Sequence, residues 1–212
     1  MMKYLWIAVL WLATGLALAG GTEPASRTIV VMGDSLSAGY NLPPGAAFPA
    51  RLEIWLAAKG TSVEVVNAAV SGDTSSGGLA RVEWSISEHP GGSPDLVIVE
   101  FGGNDALRGF EPSLTRSNLA RIIEILKERQ IPVLLAGMRA PPNMGREYEA
   151  EFNGLYPELA KEYGVYFYPF FLEGVAAIPA LNLSDGIHPN EKGIGVIIEN
   201  IGPLVLEALG GE

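Results

Sequence analysis

Five residues in this sequence of 212 residues have the types that hydrolysis of an acyl bond requires. Such a reaction needs a nucleophile, a base for its proton, a group that orients the base, and donors for the negative carbonyl oxygen. Ser35 is a candidate nucleophile, and His188, three residues after Asp185, is a candidate base with its orienting carboxylate. Gly72 and Asn104 could supply the donors through a backbone amide and a side-chain amide. The fold has to bring all five together.

Each of these residues also has a common structural use. Ser35 and Asn104 could cap helices that follow strands. Gly72 could be an ordinary turn glycine, and an isolated histidine such as His188 is often a satisfied structural residue. The other histidine, His89, stands among Pro and Gly in a connection from helix to strand, so we expect a solvated loop residue far from the other candidates. The case for catalysis therefore depends on the set and not on a single residue.

The elements that must position these residues alternate between strand and helix. Apolar runs predict strands over 28–32, 62–66, 95–101, 132–137 and 165–169, and the first three end in small and polar residues that include Gly. Helical spacing predicts helices over 47–59, 76–88, from Pro112 onward, over 146–163 and over 190–209. Five such steps predict an α/β fold, a three-layer α/β/α sandwich of flavodoxin-like type with a five-stranded parallel sheet in the order 2-1-3-4-5. Because the carboxyl ends of parallel strands open at one edge, the turns that carry Ser35, Gly72 and Asn104 should meet there.

The composition and the amino terminus set the domain limits. Hydrophobic residues make up 48% of the chain and charged residues 18%, which favours one domain with a well-filled core, here residues 28–212. Lys3 precedes an uncharged apolar run that ends in Ala17-Leu-Ala19, so residues 1–19 are predicted to be a cleaved signal peptide, followed by a short spacer over 20–27. An uncleaved anchor is the alternative, but Thr14 and Gly15 interrupt the run. We expect a periplasmic or secreted enzyme without obligatory membrane insertion.

Charge and cysteine content exclude several classes of function. The net charge of −10 disfavours nucleic acid and anionic membranes as partners. The chain has no cysteine, so it has no disulfide, no thiol nucleophile and no thiolate metal site. One well-placed histidine leaves too few typical ligands for a metal hydrolase. We expect a monomer that needs no metal and no cofactor.

Four ordered motifs give the sequence a specific resemblance. Gly33-Asp-Ser-Leu36, Gly72 within Ser-Gly-Asp-Thr, Gly102-Gly-Asn-Asp105 and Asp185-Gly-Ile-His188 resemble the four blocks of the SGNH (GDSL) hydrolase family. The resemblance implies Ser35 as nucleophile, His188 as base and Asp185 as its partner, with an oxyanion hole made by the Ser35 amide, the Gly72 amide and the Asn104 side chain. It also implies hydrolysis of acyl esters and thioesters through an acyl-serine, as in lysophospholipases, acyl thioesterases and arylesterases.

The nucleophile motif departs from a more common serine-hydrolase pattern. The sequence Gly33-Asp-Ser-Leu-Ser37 lacks the last glycine of G-x-S-x-G and lies at the start of the domain. This argues against the nucleophile elbow of α/β-hydrolases, although the order Ser, Asp, His is shared.

Few features of the sequence identify the residues that would bind the acyl chain. Leu107, Phe110, Met138, Pro141 and Met144 are apolar residues in two loops that could line an acyl groove beside the nucleophile, or they could be ordinary loop packing.

Two other functions compete with the lipid-type esterase. A carbohydrate acetylesterase of the same family should show exposed aromatic residues, and we expect Trp55 and Trp84, both on predicted helices, to be packed. A flavin-binding domain would leave Asp185 and His188 unexplained, and neither G-x-x-x-x-G-K nor a strand-linked G-x-G-x-x-G motif is present.

Overall fold

The computed structural model describes residues 27–87 and 92–210. The predicted signal peptide over 1–19, the spacer as far as residue 26, and His89 lie outside the described residues. Arg27, the last residue of the predicted spacer, is the first residue of a strand. The first strand therefore begins one residue earlier than the hydrophobic pattern indicates.

Strands and helices alternate along the chain. The five strands are β1 (Arg27–Gly33), β2 (Val63–Asn67), β3 (Leu96–Glu100), β4 (Val133–Ala136) and β5 (Tyr166–Tyr168). The described helices are α1 (Ser35–Ala38), α2 (Phe48–Ala58), α3 (Ser75–Ser87), α4 (Gly103–Leu107), α5 (Pro112–Glu128), α6 (Arg146–Tyr163) and α7 (Glu191–Ala208). Short 3₁₀ turns occur at Pro44–Ala46, Pro142–Met144 and Pro179–Leu181. No helix among the described residues has the length and apolar character needed to cross a bilayer.

The sheet is parallel throughout and has the order β2-β1-β3-β4-β5, which confirms the predicted topology. Every residue of β3 and β4 is buried, as expected for strands that are covered on both faces. The register places Gly33 at the end of β1 beside Glu100 at the end of β3. The carboxyl ends of the central strands therefore deliver their turns to the same edge of the sheet.

Helices cover the two faces of the sheet in separate groups. Helices α2 and α7 pack on each other, and on the other face α5 packs against both α3 and α6. The predicted apolar stripe of α5 is fully buried and consists of Leu119, Ile122, Ile123 and Leu126. This arrangement is the three-layer sandwich that the sequence predicts.

The two tryptophans have different environments. Trp55 packs between α2 and α7, where its Nε1 donates to Glu199 at 3.0 Å and its ring fills the space beside Gly202. Trp84 is 59% exposed, so the expectation that it is packed is wrong. It lies on α3 two residues from Val82 and from Ile86, both of which are buried, and this spacing turns its side chain away from the core.

Candidate active site

The turn after β1 holds Ser35 at the first position of a helix only four residues long. Asp34 caps that helix, and its Oδ1 accepts from the Leu36 amide at 2.9 Å. Gly39 ends it in the left-handed region with φ of +83°, and a Cβ there would lie 2.5 Å from the Cβ of Ala47. A strand end, a cap and a glycine stop therefore fix the serine in a tight turn at the sheet edge.

A second turn, between the last 3₁₀ turn and α7, holds Asp185 and His188. The Oδ1 atom of Asp185 accepts from the backbone amides of Ile187 at 2.9 Å and His188 at 3.0 Å. The Oδ2 atom of the same carboxylate lies 2.8 Å from His188 Nδ1. The turn is tied to the fold by Asn190, whose side chain caps α7 and donates to the carbonyls of Ala180 and Asn182.

These two turns, 153 residues apart in the sequence, meet at a hydrogen bond. His188 Nε2 lies 2.9 Å from Ser35 Oγ. Because the carboxylate of Asp185 accepts the proton of Nδ1, Nε2 is left as an acceptor for the serine hydroxyl. Hydrogen bonds from the His188 and Ile187 amides, and then from the imidazole, lower the pKa of Asp185 to about 2. The carboxylate is therefore ionised at neutral pH.

The turn after β2 carries Gly72 with φ of +86°, and its backbone is exposed. Its carbonyl accepts from Arg108 Nη2 at 2.8 Å. The next residue, Asp73, pairs with Arg81 at 2.7 Å, and Arg81 also donates to the carbonyls of Gly33 at 3.2 Å and of Ala68. One guanidinium thus links the turn of Gly72 to the end of the strand that carries the serine.

Asn104 lies on the short helix α4 and faces both neighbouring turns. Its Nδ2 donates to Asp34 Oδ2 at 3.0 Å and to the Asp73 carbonyl at 2.9 Å. Two acceptors surround the same terminal atom, and this identifies that atom as the amide nitrogen. The structure therefore brings Asn104 together with the turns of Ser35 and Gly72, as the topology predicts.

Two carboxyl groups are buried directly beneath the serine turn. Burial raises the pKa of Asp34 to about 6, although hydrogen bonds from Leu36 and Asn104 lower it. Burial, and then the nearby charge of Asp34, raise the pKa of Glu100 well above its usual range. Glu100 Oε2 accepts from the Ser37 hydroxyl at 2.8 Å, whereas Oε1 has no hydrogen-bond partner among the described residues. Glu100 was not predicted as a site residue, because a single acidic residue at the end of an apolar run resembles a strand terminus.

A cavity of about 430 Å³ opens beside Ser35 and His188. That volume is in the range of small-molecule sites. Its lining is mostly apolar and includes the predicted residues Leu107, Met138 and Pro141. The other apolar lining residues come from Leu36 and from the loops after β4 and β5: Ala140, Pro142, Phe170, Leu172, Ala176, Ala177 and Ile187.

The structure places two of the predicted acyl-groove residues elsewhere. Phe110 follows Gly109, whose φ of +67° turns the chain toward α5, and its carbonyl accepts from the Tyr148 hydroxyl. Met144 ends a 3₁₀ turn before Gly145, with φ of +92°, and lines a separate depression at the start of α6. Neither residue lines the cavity beside Ser35. The 170–183 segment, which contributes Phe170 and Leu172, could have been suspected from its apolar, Pro- and Gly-interrupted composition.

One contact of the site was not predicted. The ring of Tyr40 lies 4.4 Å from the imidazole of His188, measured between centroids, with an angle of 36° between the planes. Over 27–87 and 92–210, no group of three or more His, Asp or Glu side chains is arranged to hold a metal ion.

Comparison with known proteins gives consistent matches. Residues 31–194 match the model of the GDSL-like Lipase/Acylhydrolase family. The chain is 45% identical over 167 residues to the thioesterase 1/protease 1/lysophospholipase L1 of Escherichia coli strain K12, covering 78% of this chain and 77% of that protein. It is 42% identical over 168 residues to an arylesterase of Vibrio mimicus, covering 79% and 82%. The solved structure of TesA superposes with a TM-score of 0.80 at 39% identity, covering 86% of this chain and 99% of that one.

Proposed function

This chain belongs to the GDSL-like lipase/acylhydrolase family, the SGNH hydrolases, and is an ester and thioester hydrolase, for which we propose a mechanism with Ser35 as nucleophile. His188 is the general base and Asp185 orients it. The observation that carries the proposal is the continuous chain of hydrogen bonds from Asp185 Oδ2 through His188 to Ser35 Oγ, at 2.8 and 2.9 Å. A serine hydroxyl becomes a nucleophile when such a base accepts its proton.

The reaction proceeds in two steps at this serine. Ser35 Oγ attacks the acyl carbonyl while His188 Nε2 takes the hydroxyl proton, and the collapse of the tetrahedral intermediate passes that proton to the departing alcohol or thiol. His188 then takes a proton from a water molecule, whose oxygen attacks the acyl-serine, and returns that proton to Ser35 Oγ as the acid leaves. Asp185 stays ionised and stabilises the imidazolium that forms in each step.

The oxyanion hole consists of the Ser35 amide, the Gly72 amide and the Asn104 side chain. Both hydrogens of the Asn104 amide are donated within the protein, one to Asp34 and one to the Asp73 carbonyl. A hydrogen bond to a charged carboxylate is stronger than one to a neutral carbonyl. When the oxyanion develops, Asn104 therefore keeps its hydrogen bond to Asp34. It replaces its hydrogen bond to the Asp73 carbonyl with one to the oxyanion.

The substrate is an acyl ester or thioester whose chain occupies the apolar cavity. The cavity lies next to Ser35, and its apolar lining favours an alkyl chain over a sugar. Arg139 is the one cation of that lining, and its guanidinium lies 4.5 Å from the centre of the Phe170 ring and 3.3 Å from Glu173. The arginine is thus balanced by a carboxylate and leaves the cavity suited to a neutral chain.

We also propose that the enzyme works in the periplasm or is secreted, and that residues 1–19 are removed as a signal peptide. Lys3 and the apolar run that ends in Ala17-Leu-Ala19 support this location. The measurement is amino-terminal sequencing of the protein recovered from the periplasmic or culture fraction. A mature chain that starts near residue 20 is the expected result, and an intact amino terminus in the cytoplasm contradicts it.

Labelling with a fluorophosphonate tests the nucleophile. The reagent should modify one residue, and mass analysis of the peptides should place the adduct on Ser35. The Ser35→Ala and His188→Ala variants should be folded but unlabelled, whereas Ser87→Ala, a change at the end of α3, should be labelled like the natural enzyme. An adduct on another residue, or a folded natural enzyme that is not labelled, would refute the mechanism.

A series of p-nitrophenyl esters from acetyl to octanoyl tests the acyl cavity. The octanoyl ester should be preferred, and Ala176→Phe, which places a ring inside the cavity, should shift the preference to shorter chains. Ala57→Phe makes the same change at an exposed position of α2 and should leave the preference unaltered. A strong preference of the natural enzyme for the acetyl ester would instead support the carbohydrate acetylesterase.

A further inference from the structure

The Tyr40 ring is the aromatic group in contact with the base of the described site. Its centroid lies 4.4 Å from that of the His188 imidazole, with the two planes inclined by 36°. We propose that Tyr40 is a positioning residue for His188, whose ring fixes the imidazole plane and stabilises the positive charge that the imidazole acquires during catalysis. The inference rests on the proposed role of His188 as the general base.

The backbone ties Tyr40 to the nucleophile itself. The Tyr40 amide donates to the Ser35 carbonyl at 3.1 Å, in the turn that ends α1. Gly39 makes this turn possible through its left-handed conformation, and Ala47 packs directly beside it. The position of the Tyr40 ring therefore follows from the same four-residue helix that presents Ser35, so that nucleophile and ring move as one unit.

Three neighbouring residues contact the His188 side chain in different ways. Asp185 accepts from Nδ1 at 2.8 Å, and Ser35 Oγ lies 2.9 Å from Nε2. Both contacts are made through the ring nitrogens, whereas an aromatic neighbour adds van der Waals contact with the ring itself. Asp34 supplies a more distant negative charge, and its interaction with His188 is favourable. Tyr40 is thus the neighbour that contacts the imidazole ring itself.

The ring, and not the hydroxyl, carries this role. In the part of the chain that the structure describes, the Tyr40 hydroxyl makes no hydrogen bond, and the side chain is 41% exposed. The negative face of an aromatic ring attracts a cation, and at exposed sites the effect corresponds to about two- to fivefold in a rate. Because the imidazole is neutral with bound substrate and charged in the transition state, the effect should appear in kcat and leave KM unaltered.

A series of ring variants at position 40 tests the proposal. Phenylalanine and its mono-, di- and trifluorinated analogues keep the shape of the ring while each fluorine removes electron density from its face. We expect kcat to fall stepwise along the series at constant KM, and Tyr40→Leu to lower kcat by about two- to fivefold. Trp84→Leu removes an exposed aromatic ring from α3, away from His188, and should leave kcat unchanged.

The outcomes separate this proposal from the mechanism on which it rests. A stepwise fall in kcat, with thermal stability constant across the fluorinated series, supports the role of the ring. Equal kcat values throughout the fluorinated series would overturn it, even if Tyr40→Leu were slow, because loss of shape alone would then explain the slow variant. Full activity of His188→Ala would overturn the mechanism itself, whatever the series shows.

Discussion

Replacing Asp34 by Asn should flatten the dependence of stability on pH. Burial raises the pKa of Asp34 from 3.8 to about 6, so the folded protein holds this proton more tightly than the unfolded chain does. The stabilisation is complete below pH 3.8 and is lost as the pH rises through 6. The natural enzyme should therefore become less stable over this range, and a variant that cannot ionise at position 34 should not lose this contribution.

The size of the effect follows from the two pKa values. Their difference corresponds to about 3 kcal/mol at 1.36 kcal/mol per pH unit, of which roughly 2 kcal/mol falls between pH 4 and pH 8. The variant also has only one side-chain oxygen for two donors, the Leu36 amide and Asn104 Nδ2. Leaving one buried donor unpaired lowers the free energy of unfolding of the variant by about 1–3 kcal/mol at every pH. Its stability curve should be lower at pH 4 and should approach the natural curve toward pH 8.

Urea unfolding at 25 °C, repeated at each pH from 4 to 8, measures this difference. Both proteins should have the same slope of free energy against urea, so that the midpoints can be compared directly. Glu64→Gln removes an exposed carboxylate from β2 and should follow the natural pH dependence. Parallel curves for the natural enzyme and the Asp34→Asn variant would show that Asp34 does not titrate in this range, and the electrostatic argument would fail.

Three other substitutions test the remaining parts of the site. Asp185→Asn should lower kcat by about 10⁴, because an amide cannot hold the imidazole of His188 in the required tautomer, and a loss of less than tenfold in steady-state hydrolysis contradicts that role. Gly72→Ala places a side chain on a residue with φ of +86°, which costs about 1–2 kcal/mol of backbone strain. The variant should lower kcat more than it raises KM. Unchanged kinetics would show that this turn is not part of the oxyanion hole. Arg81→Met leaves Asp73 without its ion-pair partner and should lower the free energy of unfolding by about 3 kcal/mol in urea titrations. A loss below about 1 kcal/mol would show that the Arg81–Asp73 ion pair is not needed to hold this turn.

The strands and long helices could be predicted because their signals are local and repeated. Buried parallel strands are continuous apolar runs, and α5 repeats its apolar residues over 17 positions. The predicted helix over 146–163 agrees with α6, which continues through Pro157 and ends before Gly164. The succession of strands and helices predicts the layers and the parallel sheet, whereas the order 2-1-3-4-5 is taken from the flavodoxin-like arrangement and is confirmed by the structure.

The contacts that complete the site could not be predicted in the same way. Helices α1 and α4 have four and five residues, too few for a helical period to be visible in the sequence. The ring contact between Tyr40 and His188 and the hydrogen bond from Asn104 to Asp34 join residues on different elements. Such contacts depend on the relative placement of the elements, which no local pattern records.

The loops were harder to predict than the elements they join. Leu107 and Met144 are both apolar residues that were predicted to lie in loops beside the nucleophile, yet only Leu107, at the end of α4, lines the cavity. The difference comes from Gly145 and the 3₁₀ turn before it, which direct the chain toward α6. Backbone direction at such turns decides which apolar residues contact substrate, and composition alone cannot reveal it.

The separation of 153 residues between Ser35 and His188 has a consequence for biosynthesis. A growing chain that stops before Asp185 already contains all five strands and the serine turn, yet it lacks the proposed base, and we expect it not to hydrolyse an ester. Asn190 caps α7 and ties the turn of His188 to it, so the base reaches the serine when α7 docks against α2. We therefore expect hydrolysis to begin only when the last helix has folded, and the appearance of activity during refolding would time that event.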